Sequence, residues 1–287
     1  MSVAVTVPVS HGEFTAGGKR YRVRVANTRE LRERSYRLMH DTYRRTGYAH
    51  PGPFPAWYSL FELLPDSVTL VVMRGDDMVG TMTVVFDSPF GLPDDETYGR
   101  ELEVLRASGM RLSQIISFGT RGLRRGSMEV LGRLFDCAYL TARRIRRATH
   151  FVHTVIPRHV QFYRDQLLFE RAGRERYQTK TGVSVVLLSI PLDTPDWVEG
   201  ELRENTFYRF FLPEGAEDGP VSAIRKQIEA PSVGEIEYFL SKRPEVWRKA
   251  SAEQRTYFEI VTGYRSPESE EVTDVLDRMP SPIFRAS

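Results

Sequence analysis

An α/β (α+β) fold, with a mixed central sheet flanked by helices, is predicted by three observations. Alternating or β-branched runs recur between residues 21 and 192, amphipathic stretches are interleaved with them, and two of the runs are joined by a short Gly/Asp turn. A helix-rich, acidic segment of different character follows.

Each element has a local reason. Val3–Val9 alternates apolar and polar residues, and Tyr21–Asn27 does so again after the turn AGGK, so both read as strands. Thr28 supplies an N-cap for a helix through Leu31 to Tyr43. GYAHPGPFPAWY carries three prolines and reads as a loop. VTLVVMR (Val68–Arg74), GDD and MVGTMTVVFD (Met78–Asp87) form a hairpin, and SPFGLPDDETYG is a loop leading to a short helix near Glu101–Arg106. RLSQIISFG is the next strand, and Met128–Arg147 carries a helical apolar stripe. Arg143, Arg144, Arg146 and Arg147 crowd its last turn, where each cation gains roughly 0.3–1 kcal/mol against the helix dipole. HFVHTVIP is a strand, RHVQFYRDQLLFE a short helix ending near Leu168, and TGVSVVLLSIPL closes the sheet. The division expected is residues 1–194 as one domain and 195–287 as a mainly helical extension. Within the extension PEGAEDGP reads as a linker, and VGEIEYFLSKRPEVW and SAEQRTYFEIVTGY as helices.

Composition excludes several classes. With 287 residues, 41% hydrophobic and 27% charged, the chain can build a sizeable core and is not disordered. The single cysteine, Cys137, precludes an internal disulfide and a multi-cysteine zinc site, and reads as a small buried apolar residue. His150 and His153 are three apart on a strand, point to opposite faces and cannot share a metal, so no metal site is expected. MSVAVTVPVSHGEF lacks the features of a signal peptide and VSVVLLSIPL is too short to span a bilayer, which leads us to expect a soluble, cytoplasmic protein. The net charge of +2 conceals an asymmetry. Residues 195–287 hold twelve Lys/Arg and eighteen Asp/Glu, a net of −6, which leaves +8 for residues 1–194. Residues 121–150 alone carry eight arginines against Glu129 and Asp136. No aromatics interleave there as a stacking surface would need, so the expected partner is a small anion or an acidic protein and not nucleic acid.

Most of the functional signal lies in RLSQIISFGTRGLRRGS, Arg111 to Ser127, an apolar strand followed by glycine-spaced arginines and a helix start. Gly119, Gly122 and Gly126 permit close backbone approach, Ser127 is a candidate cap, and Arg121, Arg124 and Arg125 offer charge-assisted hydrogen bonds. Together they read as an anion cradle.

The element order, with the stretches YRLMHDTYRRTGY, MVGTMTVVFDSPFGLPDDETYGRELEVLR, RLSQIISFGTRGLRRGSMEVLGRLF and VIPRHVQFYRDQLLFERAGRERY, resembles the GNAT acyltransferase fold between Tyr21 and Pro191. More narrowly it resembles the long-chain N-acyl amino acid synthases and the acyl-homoserine-lactone (autoinducer) synthases. P-x-H-V-x-F-Y-R at Pro157–Arg164, followed by Phe169 and Glu170, is the most specific of the shared patterns. The resemblance implies a central strand splayed from its neighbour. It also implies a binding segment of Ser117, Phe118, Gly119, Thr120, Arg121, Gly122, Arg124, Arg125, Gly126 and Ser127 for the phosphate of coenzyme A or of a carrier protein's phosphopantetheine. In the same way it implies Tyr163 as the acid near the thioester sulfur, a backbone N–H near Ile116 or Ser117 as the carbonyl donor, and Glu101, accompanied by Asp95 and Tyr98, as base or amine orienter. Gln114, a candidate catalytic residue by its place, and Ser117 stand where these synthases usually carry glutamate and arginine, and Thr83 and Met39 where they carry arginines. Joint loss of a charge network is tolerated better than loss of one member, so the four positions read as a coordinated replacement.

The implied activity is transfer of a fatty acyl group from acyl carrier protein or acyl-CoA to the amine of a small acceptor, in first place an amino acid. The thioester is a co-substrate and no tightly bound cofactor is expected. The alternatives are an acyl-thioester-binding module without catalysis and an acetyl-CoA-dependent N-acetyltransferase. An acidic acyl carrier protein would dock on the basic segment. Leu131, Phe135, Phe86 and Phe118 are candidates to line an acyl channel, and the C-terminal helices to cover the acceptor site, form a homodimer or recruit a partner.

Overall fold

The computed structural model describes residues 12–47, 53–123, 127–179, 181–212 and 215–266. The expected strand Val3–Val9 and the residues Arg124, Arg125 and Gly126 lie outside them. In chain order the first part runs β1 (Glu13–Ala16), β2 (Lys19–Val25), α1 (Arg29–Arg45), β3 (Val68–Arg74), β4 (Asp77–Phe86), α2 (Asp95–Ala107), β5 (Leu112–Thr120) and α3 (Ser127–Leu140). It continues with β6 (His150–Val155), α4 (Val160–Leu167), β7 (Glu170–Arg171), β8 (Arg176–Gln178) and β9 (Val183–Pro191). These strands form one mixed sheet in the order β1-β2-β3-β4-β5-β6-β9-β7, with β8 also on β9. Among its pairings β5 with β6 is parallel and the others are antiparallel.

Alternation along the strands assigns the two faces. Val71, Met73 and Met78 pack with Leu31, Leu38 and Met39 of α1, while Leu70, Val72, Met82 and Val84 pack with Val130, Leu134 and Phe135 of α3. Helix α1 begins as its sequence dictates, with the Thr28 hydroxyl accepting from the Leu31 N–H at 3.3 Å.

Several elements differ from expectation. Helix α2 starts at Asp95, inside the segment read as a loop, and bends at Tyr98, whose φ is −128°. The bend lets the Tyr98 hydroxyl reach the carbonyls of Val185 (2.7 Å) and Arg174 (2.8 Å). The long helix stops at Leu140 and continues as one π turn, Thr141–Ile145. Its arginines meet acids as well as the helix dipole: Arg143 pairs with Asp196, Arg144 with Glu217, and Arg146 with Asp66 at 2.9 Å. The short edge strands β7 and β8 carry too little apolar pattern to be read locally.

The last third forms α5 (Thr194–Trp197), α6 (Gly200–Glu204), α7 (Asp218–Gln227), α8 (Val233–Lys242), α9 (Pro244–Arg248) and α10 (Ala252–Thr262). Helix α7 occupies part of the segment read as a linker. Ile236, Phe239, Trp247 and Phe258 share a core with Tyr36, Tyr58, Leu60, Leu63 and Phe90. The buried Arg32 of α1 locks the contact, donating to Glu235 at 2.7 Å and to the Glu229 carbonyl at 2.5 Å. Among the described residues no helix is long and apolar enough to cross a membrane.

Two features of β5 govern the interior of the sheet. Its ladder with β6 covers only Leu112–His150, Ser113–Phe151 and Gln114–Val152, so the two strands are unpaired beyond Gln114. On the other edge Ile116 pairs with Thr83 and Gly119 with Thr81, which leaves Ser117 and Phe118 opposite the single residue Met82. Ser117 takes a left-handed φ of 48° at this bulge. The extra residue turns the Ser117 side chain onto the face shared by Gln114 and returns Phe118 to the α3 face.

Helix α1 crosses β5 at Gly119, where a Cβ would stand 2.7 Å from the Met39 sulfur and 3.2 Å from the Thr42 hydroxyl oxygen. Met39 is fully buried, so its thioether can shift only against packed neighbours. Gly119→Ala is therefore expected to destabilise the chain by about 1–3 kcal/mol through overpacking. A lower denaturant midpoint at unchanged slope is the expected reading, and an unchanged midpoint would contradict the close approach.

Candidate active site

A cleft of about 640 Å³ opens where β5 and β6 part. Ile115 to Thr120 form one side and His153 to Ile156 the other, and the cleft reaches both faces of the sheet. On the α3 and α4 face it is bounded by Leu131, Phe162 and Tyr163, and on the α1 and α2 face by Thr42, Tyr43, Trp57, Glu62, Asp94 and Gln178.

On the first face a buried pair sits at the fork. The carbonyl of Ile115 can only accept, so its 2.8 Å contact with His153 Nδ1 places the imidazole proton on that nitrogen. His153 Nε2 then accepts from the Tyr163 hydroxyl at 3.1 Å. Burial disfavours the charged forms of both groups: the imidazole is pushed down to about 4 and the phenol well above its usual range. At neutral pH Tyr163 thus carries its proton and His153 is uncharged.

On the second face two carboxylates enter from loops. Glu62 lies in a 3-10 turn, Leu60–Leu63, and its Oε2 accepts from the Ser59 N–H (2.9 Å) and hydroxyl (2.6 Å). Its Oε1 accepts from the Ser117 hydroxyl at 2.6 Å. Asp94 precedes α2 and accepts from Gln114 Nε2 at 2.7 Å and Gln178 Nε2 at 3.1 Å. The C-terminal helices hold these loops: the Tyr58 hydroxyl donates to the Phe239 carbonyl (2.8 Å), Arg243 to the Ala56 carbonyl (2.7 Å) and Gln254 to the Phe90 carbonyl (3.1 Å).

The structure brings together Gln114, Ser117, Phe118, Gly119, Thr120 and Tyr163, all of which line the cleft. It does not bring Glu101 there. That carboxylate accepts from the Arg176 guanidinium and lines a separate depression with Arg100, Arg171 and Arg174. The neighbouring Asp95 is held by Arg106 at 2.7 Å. Arg121 turns toward Asp41 at 3.8 Å, and its N–H donates to the Val79 carbonyl at 2.9 Å, extending the sheet. Gly122, with φ of 66°, ends that extension, and Ser127 opens α3. The remaining cradle residues, Arg124, Arg125 and Gly126, fall outside the described residues. Of the residues proposed for an acyl channel, Leu131 and Phe118 line the cleft, and Phe135 stacks edge-on behind Phe118 at 5.4 Å. Phe86 instead lies beneath Arg146 at 5.8 Å.

The four neutral positions are each satisfied in place. Thr83 bonds Thr69 at 2.8 Å, Met39 packs over Gly119, Gln114 donates to Asp94, and Ser117 donates to Glu62. Sequence reasoning did not find His153, Glu62 or Asp94 as site residues. His153 had a local signal, its place one position past the last residue of β6 that pairs with β5, but that pairing is itself non-local. Cys137 lies buried with its thiol pushed well above the usual range by that burial, which leaves it unreactive.

No curated protein sequence matches the chain. Among solved structures, FeeM, an N-acyl amino acid synthase from uncultured soil microbes, superposes with a TM-score of 0.54 at 22% identity, covering 68% of this chain and 100% of that one. The AHL synthase LasI superposes with a TM-score of 0.50 at 14% identity, covering 69% and 99%. These likenesses establish the GNAT-like fold. The family model "N-acyl amino acid synthase FeeM" matches residues 34–191, more than half of the 287 residues, and spans both walls of the cleft and the turn that carries Glu62. The chain belongs to the FeeM family of N-acyl amino acid synthases.

Proposed function

We propose that the chain moves a fatty acyl group from a phosphopantetheine thioester, carried by acyl carrier protein or coenzyme A, to the amine of a small acceptor. One observation carries the reading: a gap through the sheet with a proton-bearing tyrosine on one face and fixed carboxylates on the other. The thioester arm lies between β5 and β6 with its acyl chain against Phe118, Leu131 and Phe162. The amine approaches from the side of Glu62 and Asp94.

The chemistry is set by these positions. Edge N–H groups of β5 beyond Gln114 have no β6 partner in the ladder and polarise the thioester carbonyl. A carboxylate, Glu62 or Asp94, takes a proton from the attacking nitrogen. The C–N bond forms, the C–S bond breaks, and the Tyr163 hydroxyl turns its hydrogen from His153 Nε2 to the departing sulfur. In this assignment Glu101 has no catalytic part, Gln114 positions Asp94, and Ser117 positions Glu62. The phosphate falls to the N-terminus of α3 with Gly122, Arg124, Arg125, Gly126 and Ser127. Exposed Arg44, Arg45 and Arg158 near the cleft mouth favour an acidic carrier protein over free coenzyme A. The transfer machinery belongs to residues 1–194, and the helices between residues 195 and 266 brace its acceptor side.

Tyr163→Phe is expected to lower kcat about 10²-fold, with little change in KM for the thioester. Thiol release and mass spectrometry of the product measure it, and an unchanged kcat would remove Tyr163 from the mechanism. His153 gives a second test. Its folded value of about 4 lies below the 6.5 of an exposed imidazole, so the folded chain binds fewer protons between those values. Its contribution is complete above pH 6.5 and is lost as pH falls toward 4, a change of about 3 kcal/mol. Urea unfolding at pH 7 and pH 4.5 should show a smaller loss for His153→Gln than for the wild type. Equal losses would mean that the imidazole is not buried neutral.

A further inference from the structure

We propose that the 3-10 turn Phe207–Phe210, from the helical last third of the chain, closes the acyl end of the cleft and sets how long a fatty chain the protein accepts; this rests on the acyltransferase reading of the cleft. Phe118, Leu131 and Phe162 line the cleft on the α3 and α4 face. One layer behind them stands the buried Phe207, whose ring meets Phe162 edge to face at 5.4 Å and lies tilted against Phe135 at 6.3 Å. An acyl chain threaded from the fork between Leu131 and Phe162 therefore runs toward the Phe207 ring. The family model ends at residue 191, so this wall comes from outside the segment that carries the transfer chemistry.

The turn is fastened in that place from both sides. The Thr206 hydroxyl caps it, accepting from the Tyr208 N–H at 3.4 Å. The Tyr208 hydroxyl donates to the Leu167 carbonyl at the end of α4 (2.9 Å), and the Leu212 N–H, just past the turn, donates to the buried Asp136 of α3 (3.2 Å). The turn thus ties α3 to α4 across the end of the groove between them. Helix α3 meets it with a glycine: a Cβ on Gly132 would stand 2.5 Å from the Phe210 Cβ. The Phe210 side chain takes that space, next to the cleft-lining Leu131. Rigid rings held at both helices end an apolar groove at a fixed depth, where a flexible side chain would yield. One methylene more or less in a hydrophobic pocket changes kcat/KM by about 10–200-fold, so a wall of this kind is sufficient to select chain length.

Chain length is the readout, in the full-length protein. Octanoyl, dodecanoyl and hexadecanoyl thioesters of coenzyme A and of acyl carrier protein are given with a mixture of the common amino acids and primary alkylamines, and thiol release and N-acyl product are followed. In the wild type the apparent kcat/KM for the thioester is expected to fall at the longest chain. Phe207→Leu, and independently Phe210→Leu, replace a ring by a smaller aliphatic side chain and are expected to raise the hexadecanoyl-to-octanoyl ratio of kcat/KM about tenfold or more. Circular dichroism confirms the fold, and the half-buried Phe210 keeps the question decidable if Phe207→Leu does not fold. Rings with only a packing role would lower all chain lengths alike. An unmoved ratio in the folded variants, or a wild type that uses hexadecanoyl as well as octanoyl, overturns the chain-length inference while acyl transfer stands. If the wild type turns over none of the thioesters, the transferase reading falls, and calorimetric binding of the same coenzyme A series decides the wall's role: a longer limit in the variants supports it and an unchanged limit overturns it.

Discussion

The structure depends on β5 leaving β6 after Gln114. A parallel ladder that stopped at neither Gln114 nor Val152 would close the sheet and bury the edge of β5 as ordinary backbone. The separation instead leaves an edge facing a cavity, and the buried imidazole of His153 takes up the first freed carbonyl, that of Ile115. The bulge beside it is the complementary device. By setting two residues against Met82 it reverses the alternation, so that Gln114 and Ser117 face the same carboxylate-bearing loops although they are three apart. A regular strand would point them to opposite faces.

The two sides of the opening are built by different physics. On the α3 face aromatic and aliphatic packing among Phe118, Phe135, Tyr163 and Phe207 forms a dry surface, and burial keeps Tyr163 protonated and His153 neutral. On the α1 face carboxylates are retained at depth by short hydrogen bonds to serine and glutamine. Gln114 and Ser117 belong to this arrangement as donors to Asp94 and Glu62, whereas Thr83 bonds Thr69 and Met39 packs over Gly119.

What could be read from the sequence was local. The hairpin of β3 and β4, the Thr28 cap, strand β5 and the start of α3 come from β-branched runs, turn chemistry and one hydroxyl, and all are present. The glycine at 119 also came from its immediate sequence, and the cleft-lining Tyr163 from the family resemblance that QFYRD carries. Glu62 and Asp94 were invisible because nothing in LFELL or PDDE marks a carboxylate that will meet a strand twenty or more residues away. Glu101 was favoured by its position after Pro93, Asp95 and Tyr98, but the bend at Tyr98 carries its helix toward Arg176. The arginines after Leu140 looked like dipole partners because their acids, Asp66, Asp196 and Glu217, lie in other parts of the chain.

The bracing of the Glu62 loop by α8, α9 and α10 has a temporal consequence. During synthesis the strands that part, and the tyrosine between them, emerge well before the segment on which Ala56, Tyr58 and Phe90 lean. The wall of the cleft that carries Tyr163 can thus form before the opposite wall has its support. Assembly of the cleft is then ordered by translation, one wall after the other.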